Sequence, residues 1–169
     1  MITSAAPVKP TDFVTDEASR RNILYDALSQ DKLELILFPT EKCNFRCTYC
    51  YEDFELGRMP PAVVTGIKNL IDARSQDLKI LHLSWFGGEP LIAYDIVRDI
   101  SGHAKRLSDE RGFRSIVSIT TNGYTLTEDR FVELASLGTR KFQFSLDGEQ
   151  AVHDRTRLRI DGAGTFAEI

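Results

Sequence analysis

The sequence is short of the features that mark secreted, membrane-spanning and nucleic-acid-binding chains. Its first residues, Met1 to Pro7, form neither a basic nor an apolar segment, so no export signal is expected. The apolar runs near Leu35 and Leu83 are far shorter than a bilayer span. The net charge is −4, and no run of Lys and Arg interleaves with aromatic residues. We therefore expect neither a nucleic acid nor a membrane as a partner.

Cysteine is scarce as well, because the chain has only three, Cys43, Cys47 and Cys50, within eight positions. An odd number of cysteines on so short a loop excludes a disulfide framework, and a reducing, cytoplasmic location is expected. The remaining composition is ordinary. With 42% apolar and 27% charged residues the chain can bury a core, and its length suits one domain or part of a larger one.

Hydrophobic patterning divides the chain in two. Residues 1–32 are expected to form a flexible tail over 1–14 and a short helix from an N-cap at Thr15 to about Ser29. From residue 33 onward, predicted strands alternate with helices. The strands are predicted over residues 33–38, 78–86, 115–121 and 141–146. The helices are predicted to begin at Pro60 and Pro61, after a Gly-Gly-Glu-Pro turn, near Thr127 and at Gly164.

This alternation favours parallel β/α units, as in a doubly wound sheet or part of a barrel. Three strands alternate polar and apolar residues, which places each kind on one face. The polar face is predicted to hold His82, Ser84, Ser118, Thr120, Asn122, Gln143, Ser145 and Asp147. The apolar face, covered by helices, is predicted to hold Leu81, Leu83, Trp85, Val117, Ile119, Phe142, Phe144 and Leu146. A tightly filled small barrel would have an apolar interior. We therefore predict an α/β fold, a partial, incompletely closed TIM-like barrel with about four β/α units.

The three cysteines follow the first predicted strand in a C-x3-C-x2-C pattern. Three thiolates on one loop can ligate three irons of a 4Fe–4S cube, and the fourth iron then lacks a protein ligand. An open coordination position is what a catalytic metal centre requires. The carboxyl end of a strand is also where β/α folds assemble active sites.

Other interpretations of the cysteines remain open at this point. They could be structural and buried, or they could bind zinc with a fourth ligand from His82, His103 or His153. Structural zinc sites usually use paired C-x2-C knuckles, and the sequence has no second pair. An electron-transfer ferredoxin is disfavoured because the fourth cysteine is missing.

The cysteine loop, with Tyr49 before its last cysteine, resembles that of the radical S-adenosylmethionine (SAM) superfamily. Further motifs follow in the order typical of that superfamily: Gly87-Gly88-Glu89-Pro90, Thr121-Asn122-Gly123, Ser145-Leu146-Asp147-Gly148 and His153-Asp154-Arg155-Thr156-Arg157. Together they resemble the N-terminal part of SPASM- or twitch-type peptide and protein maturases, which include anaerobic sulfatase-maturing enzymes and modifiers of ribosomally made peptides. By this resemblance, residues 33–169 are the N-terminal part of a radical SAM core domain, without its C-terminal units or a SPASM domain.

The resemblance implies two cofactors, a 4Fe–4S cluster held by Cys43, Cys47 and Cys50, and SAM. It implies that Glu89 accepts hydrogen bonds from the SAM ammonium, and that Gly87 and Gly88 let the backbone approach the ligand. Four further residues are implied to bind SAM: Tyr49, Asn122, Ser145 and Arg157. Simpler roles stay open for several of these: a solvated turn residue at Glu89, a core aromatic at Tyr49, a turn former at Asn122 and a surface arginine at Arg157.

The implied function is reductive cleavage of SAM to a 5′-deoxyadenosyl radical, which abstracts hydrogen from a peptide or protein side chain. A reductant such as flavodoxin or ferredoxin is the implied electron donor. The sequence identifies no catalytic acid or base. Two alternatives remain open: a catalytically incomplete cluster- and SAM-binding module that needs further residues or a partner, and a structural zinc protein.

Overall fold

The computed structural model describes residues 16–169 and divides the chain between Gln30 and Asp31. The first unit contains helix α1, Glu17–Leu28. The Asp16 carboxylate caps this helix by accepting a hydrogen bond of 2.8 Å from the Ser19 N–H. The predicted tail over residues 1–14 and the predicted cap at Thr15 lie outside the described residues.

The second unit is built from strands and helices in alternation. Its strands are β1 (Lys32–Leu37), β2 (Ile80–Trp85), β3 (Arg114–Thr120) and β4 (Thr139–Gln143). Its α-helices are α2 (Pro61–Arg74), α3 (Tyr94–Arg111), α4 (Glu128–Ser136) and α5 (Gln150–Thr156), with short 3₁₀ helices at Pro90–Ala93 and Phe166–Glu168. The strands form one sheet in the order β1-β2-β3-β4, and every neighbouring pair is parallel. The predicted parallel β/α units are therefore confirmed.

The core lies between this sheet and its helices. As predicted, five apolar residues of β2 and β3 face the helices, and these five are at most 1% exposed: Leu81, Leu83, Trp85, Val117 and Ile119. The buried stripe of α3 packs into the same core with Ile96, Val97, Ile100, Ala104 and Leu107. Each of the Ile, Val and Leu side chains contributes about 1.5–3 kcal/mol when buried. The Trp85 indole N–H donates to the buried Ser101 hydroxyl at 3.0 Å, which satisfies a polar group inside this core.

The opposite face of the sheet carries polar side chains that bond to one another. Nε2 of His82 lies 3.1 Å from the Ser118 hydroxyl, which lies 3.1 Å from the Ser84 hydroxyl. Nδ1 of His82 lies 3.3 Å from a carboxylate oxygen of Glu34 on β1. The predicted polar face therefore exists on β2 and β3, and Glu34 extends it onto β1, which was not predicted.

The prediction was wrong for the end of the fourth strand. Strand β4 ends at Gln143, whose carbonyl accepts from the Thr121 N–H at 3.0 Å, and the chain then leaves the sheet. Phe144 and Leu146 are therefore 44% and 62% exposed instead of facing the helices. Helix α5 was not predicted, and the segment predicted to begin a helix at Gly164 forms only a 3₁₀ turn. Over residues 16–169, no helix combines the length and apolar composition needed to cross a bilayer.

Candidate functional site at the cysteine loop

A cavity of about 160 Å³ opens at the carboxyl ends of the strands, beside the loop that follows β1. All three cysteines line it. Of the seven predicted cofactor residues, six also line it, namely Tyr49, Gly87, Gly88, Asn122, Ser145 and Arg157. Glu89 is the exception. The fold thus brings together residues from the cysteine loop, the turn after β2, the end of β3, the segment after β4 and the end of α5.

Backbone pairing holds the cysteine loop in place. The Arg46 N–H donates to the Leu158 carbonyl at 2.6 Å, and the Thr48 N–H donates to the Thr156 carbonyl at 2.9 Å. Phe45, which directly precedes Arg46, is only 1% exposed and anchors the loop in the protein. The segment after α5 therefore supports the cysteine loop, a contact that the sequence analysis did not foresee.

The glycines after β2 permit two backbones to meet. The Gly88 N–H donates to the Thr40 carbonyl at 3.2 Å, and the Glu89 N–H donates to the Lys42 carbonyl at 3.0 Å. A Cβ atom at Gly88 would lie 2.1 Å from the Glu41 carbonyl oxygen, which no side chain could tolerate. The close approach in the structure is between the turn after β2 and the segment that leads into Cys43, and the predicted approach of Gly87 and Gly88 to SAM stays a prediction.

Glu89 is completely buried, and protein donors surround its carboxylate. Oε1 accepts from the Leu91 N–H at 2.9 Å and the Thr121 hydroxyl at 2.8 Å, while Oε2 accepts from the Asn122 N–H at 2.7 Å. Burial raises the pKa of Glu89, against the lowering effect of these three hydrogen bonds. Glu89 is therefore not a solvated turn residue, and its carboxylate links the turn after β2 to the end of β3. Its predicted contact with the SAM ammonium stays a prediction.

Asn122 is buried beside the cysteine loop. Its Nδ2 lies 2.8 Å from Oδ1 of Asn44 and 3.8 Å from Sγ of Cys43. Its Oδ1 accepts from the Tyr124 N–H at 3.0 Å. Asn122 is thus a turn former, as one interpretation proposed, and it also contacts a predicted cluster ligand.

Arg157 is buried at 7% exposure, which rules out the interpretation as a surface arginine. Nη1 donates to the Tyr49 hydroxyl at 2.8 Å. Nε is buried without a hydrogen-bond partner among the described residues. Tyr49 is itself 56% exposed, so it belongs to the cavity rim and not to the core. A buried guanidinium with a free donor is suited to an anionic ligand.

The environment of the thiols disfavours free thiolates. Burial raises the pKa of Cys43 to about 11, opposed by the Phe45 N–H, and the negative charge of Glu89 raises it further. Burial also raises the pKa of Cys47, while the positive charge of Arg157 lowers it. Metal ions displace such protons, because thiolates are the form that coordinates metals.

The residues fit a cluster better than a single ion. Within residues 16–169, no three Cys, His, Asp or Glu side chains lie close enough together to hold one metal ion. The histidines considered for zinc all have other partners: His82 contacts Glu34 and Ser118, His103 contacts Asp72, and His153 contacts Thr165. Three thiols spread around one cavity fit a cube, in which each thiolate binds a different iron.

Curated proteins of more than one kind are similar to this chain. The GTP 3′,8-cyclase of Rhodococcus opacus (strain B4) is 31% identical over 141 residues, 82% of this chain and 38% of that enzyme. The cysteine-type anaerobic sulfatase-maturating enzyme of Clostridium novyi (strain NT) is 29% identical over 148 residues, 81% of this chain and 38% of that enzyme. The chain therefore spans 38% of the length of each of these relatives.

A solved structure has the same fold. Native anSMEcpe with bound AdoMet and Kp18Cys peptide superposes with a TM-score of 0.69 at 22% identity, over 81% of this chain and 38% of that one. This likeness and the parallel sheet confirm the predicted partial barrel. Residues 37–169 match the radical SAM superfamily. The chain therefore belongs to the radical SAM superfamily, whose cofactors are a 4Fe–4S cluster and SAM.

Proposed function

We propose that this chain binds the cluster through Cys43, Cys47 and Cys50, binds SAM in the adjoining cavity, and serves an enzyme that modifies a peptide or protein side chain. The observation that carries the proposal is that all three thiols and the buried guanidinium of Arg157 line one cavity. When bound, the cluster supplies the electron that cleaves SAM to a 5′-deoxyadenosyl radical. The protein supplies positioning and excludes water.

Arg157 is the proposed partner of the SAM carboxylate. Its Nε is a donor without a partner among the described residues, and burial strengthens a charge-assisted hydrogen bond at this position. The hydrogen bond to Tyr49 fixes the orientation of the guanidinium before any ligand arrives. Arg157 can therefore bind an anion without first losing side-chain freedom.

The other cavity residues are proposed to contact the remainder of SAM. Tyr49 presents a half-exposed ring at the cavity rim, which suits stacking against adenine. Ser145 is half-buried on the cavity wall and offers a hydroxyl that can donate or accept. Gly87 and Gly88 expose backbone groups, because they have no side chains to cover them.

A peptide or protein substrate is favoured over a nucleotide. One relative is a sulfatase-maturating enzyme, and the anSMEcpe structure contains a peptide, which supports a related substrate here. The similar GTP 3′,8-cyclases support GTP as the second candidate.

We also propose that electrons arrive from a flavodoxin- or ferredoxin-type protein on the side of Cys50. Cys50 is exposed, while Cys43 and Cys47 are half-buried, so Cys50 offers the shortest path from the protein surface to the cluster position. Within this proposal, the chain either supports turnover itself or binds both cofactors and needs further residues or a partner for turnover.

The test is anaerobic reconstitution with iron and sulfide, followed by incubation with reductant, SAM, and either candidate peptides or GTP. We expect about four irons and four sulfides per chain, as three-thiolate ligation of a cube implies. We also expect 5′-deoxyadenosine, and Cys47→Ala is the matched control that should lose most of the iron. Modified peptide would support the peptide maturase, and cyclised GTP would support the second candidate. One zinc per chain, with no thiolate-to-iron absorbance, would overturn the cluster assignment.

A further inference from the structure

We infer that Asn122 donates an N–H···S hydrogen bond to the cluster ligand Cys43, and that Glu89 is the positioning residue that holds Asn122 in place. The inference rests on the proposed ligation of the cluster by Cys43. It concerns the reduction potential of the cluster and not the binding of SAM. Glu89, the one predicted cofactor residue that does not line the cavity, thereby has a role in the site.

The orientation of the Asn122 amide follows from its neighbours. The Tyr124 N–H can only donate, so the atom 3.0 Å from it must be Oδ1 of Asn122. Nδ2 then faces Oδ1 of Asn44 at 2.8 Å, and one of its two hydrogens is used there. The second hydrogen is available for Sγ of Cys43, which lies 3.8 Å away. A flipped amide would place two donors against each other at Tyr124 and two acceptors against each other at Asn44.

Glu89 fixes the backbone from which this amide projects. Its Oε2 accepts from the Asn122 N–H at 2.7 Å, and its Oε1 accepts from the hydroxyl of the preceding residue, Thr121, at 2.8 Å. Its own N–H donates to the Lys42 carbonyl at 3.0 Å, one residue before Cys43. Glu89 therefore positions both Asn122, which is the donor, and the segment that leads to Cys43, whose sulfur is the acceptor.

Hydrogen bonds to the cysteine sulfurs help set the reduction potential of an iron–sulfur centre. Sγ of Cys43 already lies 3.3 Å from the Phe45 N–H, so Asn122 would be its second donor. The positive end of an N–H dipole favours the additional negative charge of the reduced state. Because Asn122 is buried, this effect is stronger than it would be in water. Asn122 should therefore make the cluster easier to reduce.

The experiment measures the midpoint potential of the reconstituted cluster without SAM or substrate, by redox titration followed by electron paramagnetic resonance. Asn122→Leu removes the donor at similar volume. Asn122→Asp keeps the oxygen that accepts from Tyr124 and replaces the donor with an acceptor. Thr121→Val is the matched control, because it loosens the same loop and removes a Glu89 hydrogen bond without touching the sulfur.

We expect Asn122→Leu to shift the reduction equilibrium about three- to tenfold against the reduced cluster, the range for one hydrogen bond. A tenfold change is about 59 mV for a one-electron couple. Asn122→Asp should shift it further in the same direction, and Glu89→Gln should shift it less. Thr121→Val keeps the Asn122 N–H bond to Glu89 and the donor to the sulfur, so it should shift the potential much less than Asn122→Leu.

Three outcomes would overturn the inference. The first is an unchanged potential in both Asn122 variants at wild-type iron content. The second is an equal fall in Thr121→Val, which would show that a loosened loop is the cause. The third is loss of iron from both Asn122 variants, because a single hydrogen-bond donor is not needed for cluster assembly. A wild-type chain that binds no iron would instead overturn the proposed function.

Discussion

Nη1 of Arg157 donates to the hydroxyl of Tyr49 at 2.8 Å, and so joins two residues 108 positions apart. Tyr49 lies between the proposed cluster ligands Cys47 and Cys50, and Arg157 directly follows α5. The hydrogen bond places a positive charge in the cavity and holds it close to the cysteine loop.

Arg157→Met should weaken SAM binding by about 1.5–3 kcal/mol, the range for a hydrogen bond to a charged group. Anaerobic equilibrium dialysis of the cluster-loaded chain with labelled SAM measures this affinity. Tyr49→Phe is the matched variant, because it removes the hydroxyl that orients Arg157 and keeps the ring. It should weaken binding less. Equal SAM affinity in wild type and Arg157→Met would show that the guanidinium faces another group.

Gly88→Ala should prevent the turn after β2 from meeting the segment before Cys43. The new Cβ would lie 2.1 Å from the Glu41 carbonyl oxygen, so one of the two backbones must move. We expect a lower melting temperature of the metal-free chain and a lower iron content after reconstitution. Gly57→Ala is the control, because a Cβ there would have no atom within 4 Å. Wild-type melting of Gly88→Ala would contradict the close approach.

Glu89→Ala should destabilise the fold itself. It leaves the donors at Leu91, Thr121 and Asn122 without their acceptor in a buried site, and each such loss costs about 1–3 kcal/mol. Denaturant unfolding of the metal-free chain measures the free energy of unfolding, with the surface variant Glu110→Gln as control. A residue that only bound SAM would leave this free energy unchanged, so an unaltered midpoint would contradict the structural role.

The free energy of unfolding should depend on pH through the ionisation of Glu89. Burial raises its pKa above the ordinary value of 4.5, so the folded chain keeps this proton to a higher pH than the unfolded chain. The stabilisation from this group is complete below pH 4.5 and is lost as the pH rises through the raised value. Between pH 4.5 and the raised pKa, the free energy of unfolding of the wild type should therefore fall relative to that of Glu89→Gln. A pH-independent difference would contradict the raised pKa.

Ser101→Ala tests the core under the polar face. The substitution removes the acceptor of the buried Trp85 indole N–H, and an unsatisfied buried donor costs about 1–3 kcal/mol. Chemical denaturation should show that loss in the free energy of unfolding, with cluster content per folded chain unchanged. A loss below a few tenths of a kcal/mol would mean that the indole finds another acceptor.

The sequence was sufficient to predict the sheet and most of the site, because both depend on local patterns. Alternation along β2 and β3 predicted which residues are buried. The spacing of Cys43, Cys47 and Cys50 predicted that they share one site, and all three line one cavity. The error at Phe144 and Leu146 arose because the same alternation continues past Gln143, where the last ladder bond to Thr121 is made. The point at which strand pairing stops depends on both strands, so the sequence of one strand alone does not predict it.

The partners of the buried polar groups could not be predicted for a related reason. The sequence predicted Glu89 as a site residue but not the donors that bind it. Its carboxylate oxygens accept from Thr121 and Asn122, which lie more than thirty positions away in the chain. A motif shows that a carboxylate is required, but only the fold shows which donors reach it. The roles of Phe45 and Leu158 in supporting the cysteine loop were not predicted for the same reason. Backbone pairing between distant segments does not depend on which side chains they carry.

The pairing of the cysteine loop with the segment after α5 has a consequence for biosynthesis. The ribosome releases the three thiols long before Leu158 and Thr156, whose carbonyls accept from the Arg46 and Thr48 N–H groups, respectively. Until then the growing chain presents its cysteines on an unsupported loop, accessible to oxidants and to stray metal ions. Cluster insertion is therefore expected to follow translation of this segment, and carriers that deliver iron and sulfide would act on a chain that has already emerged past α5.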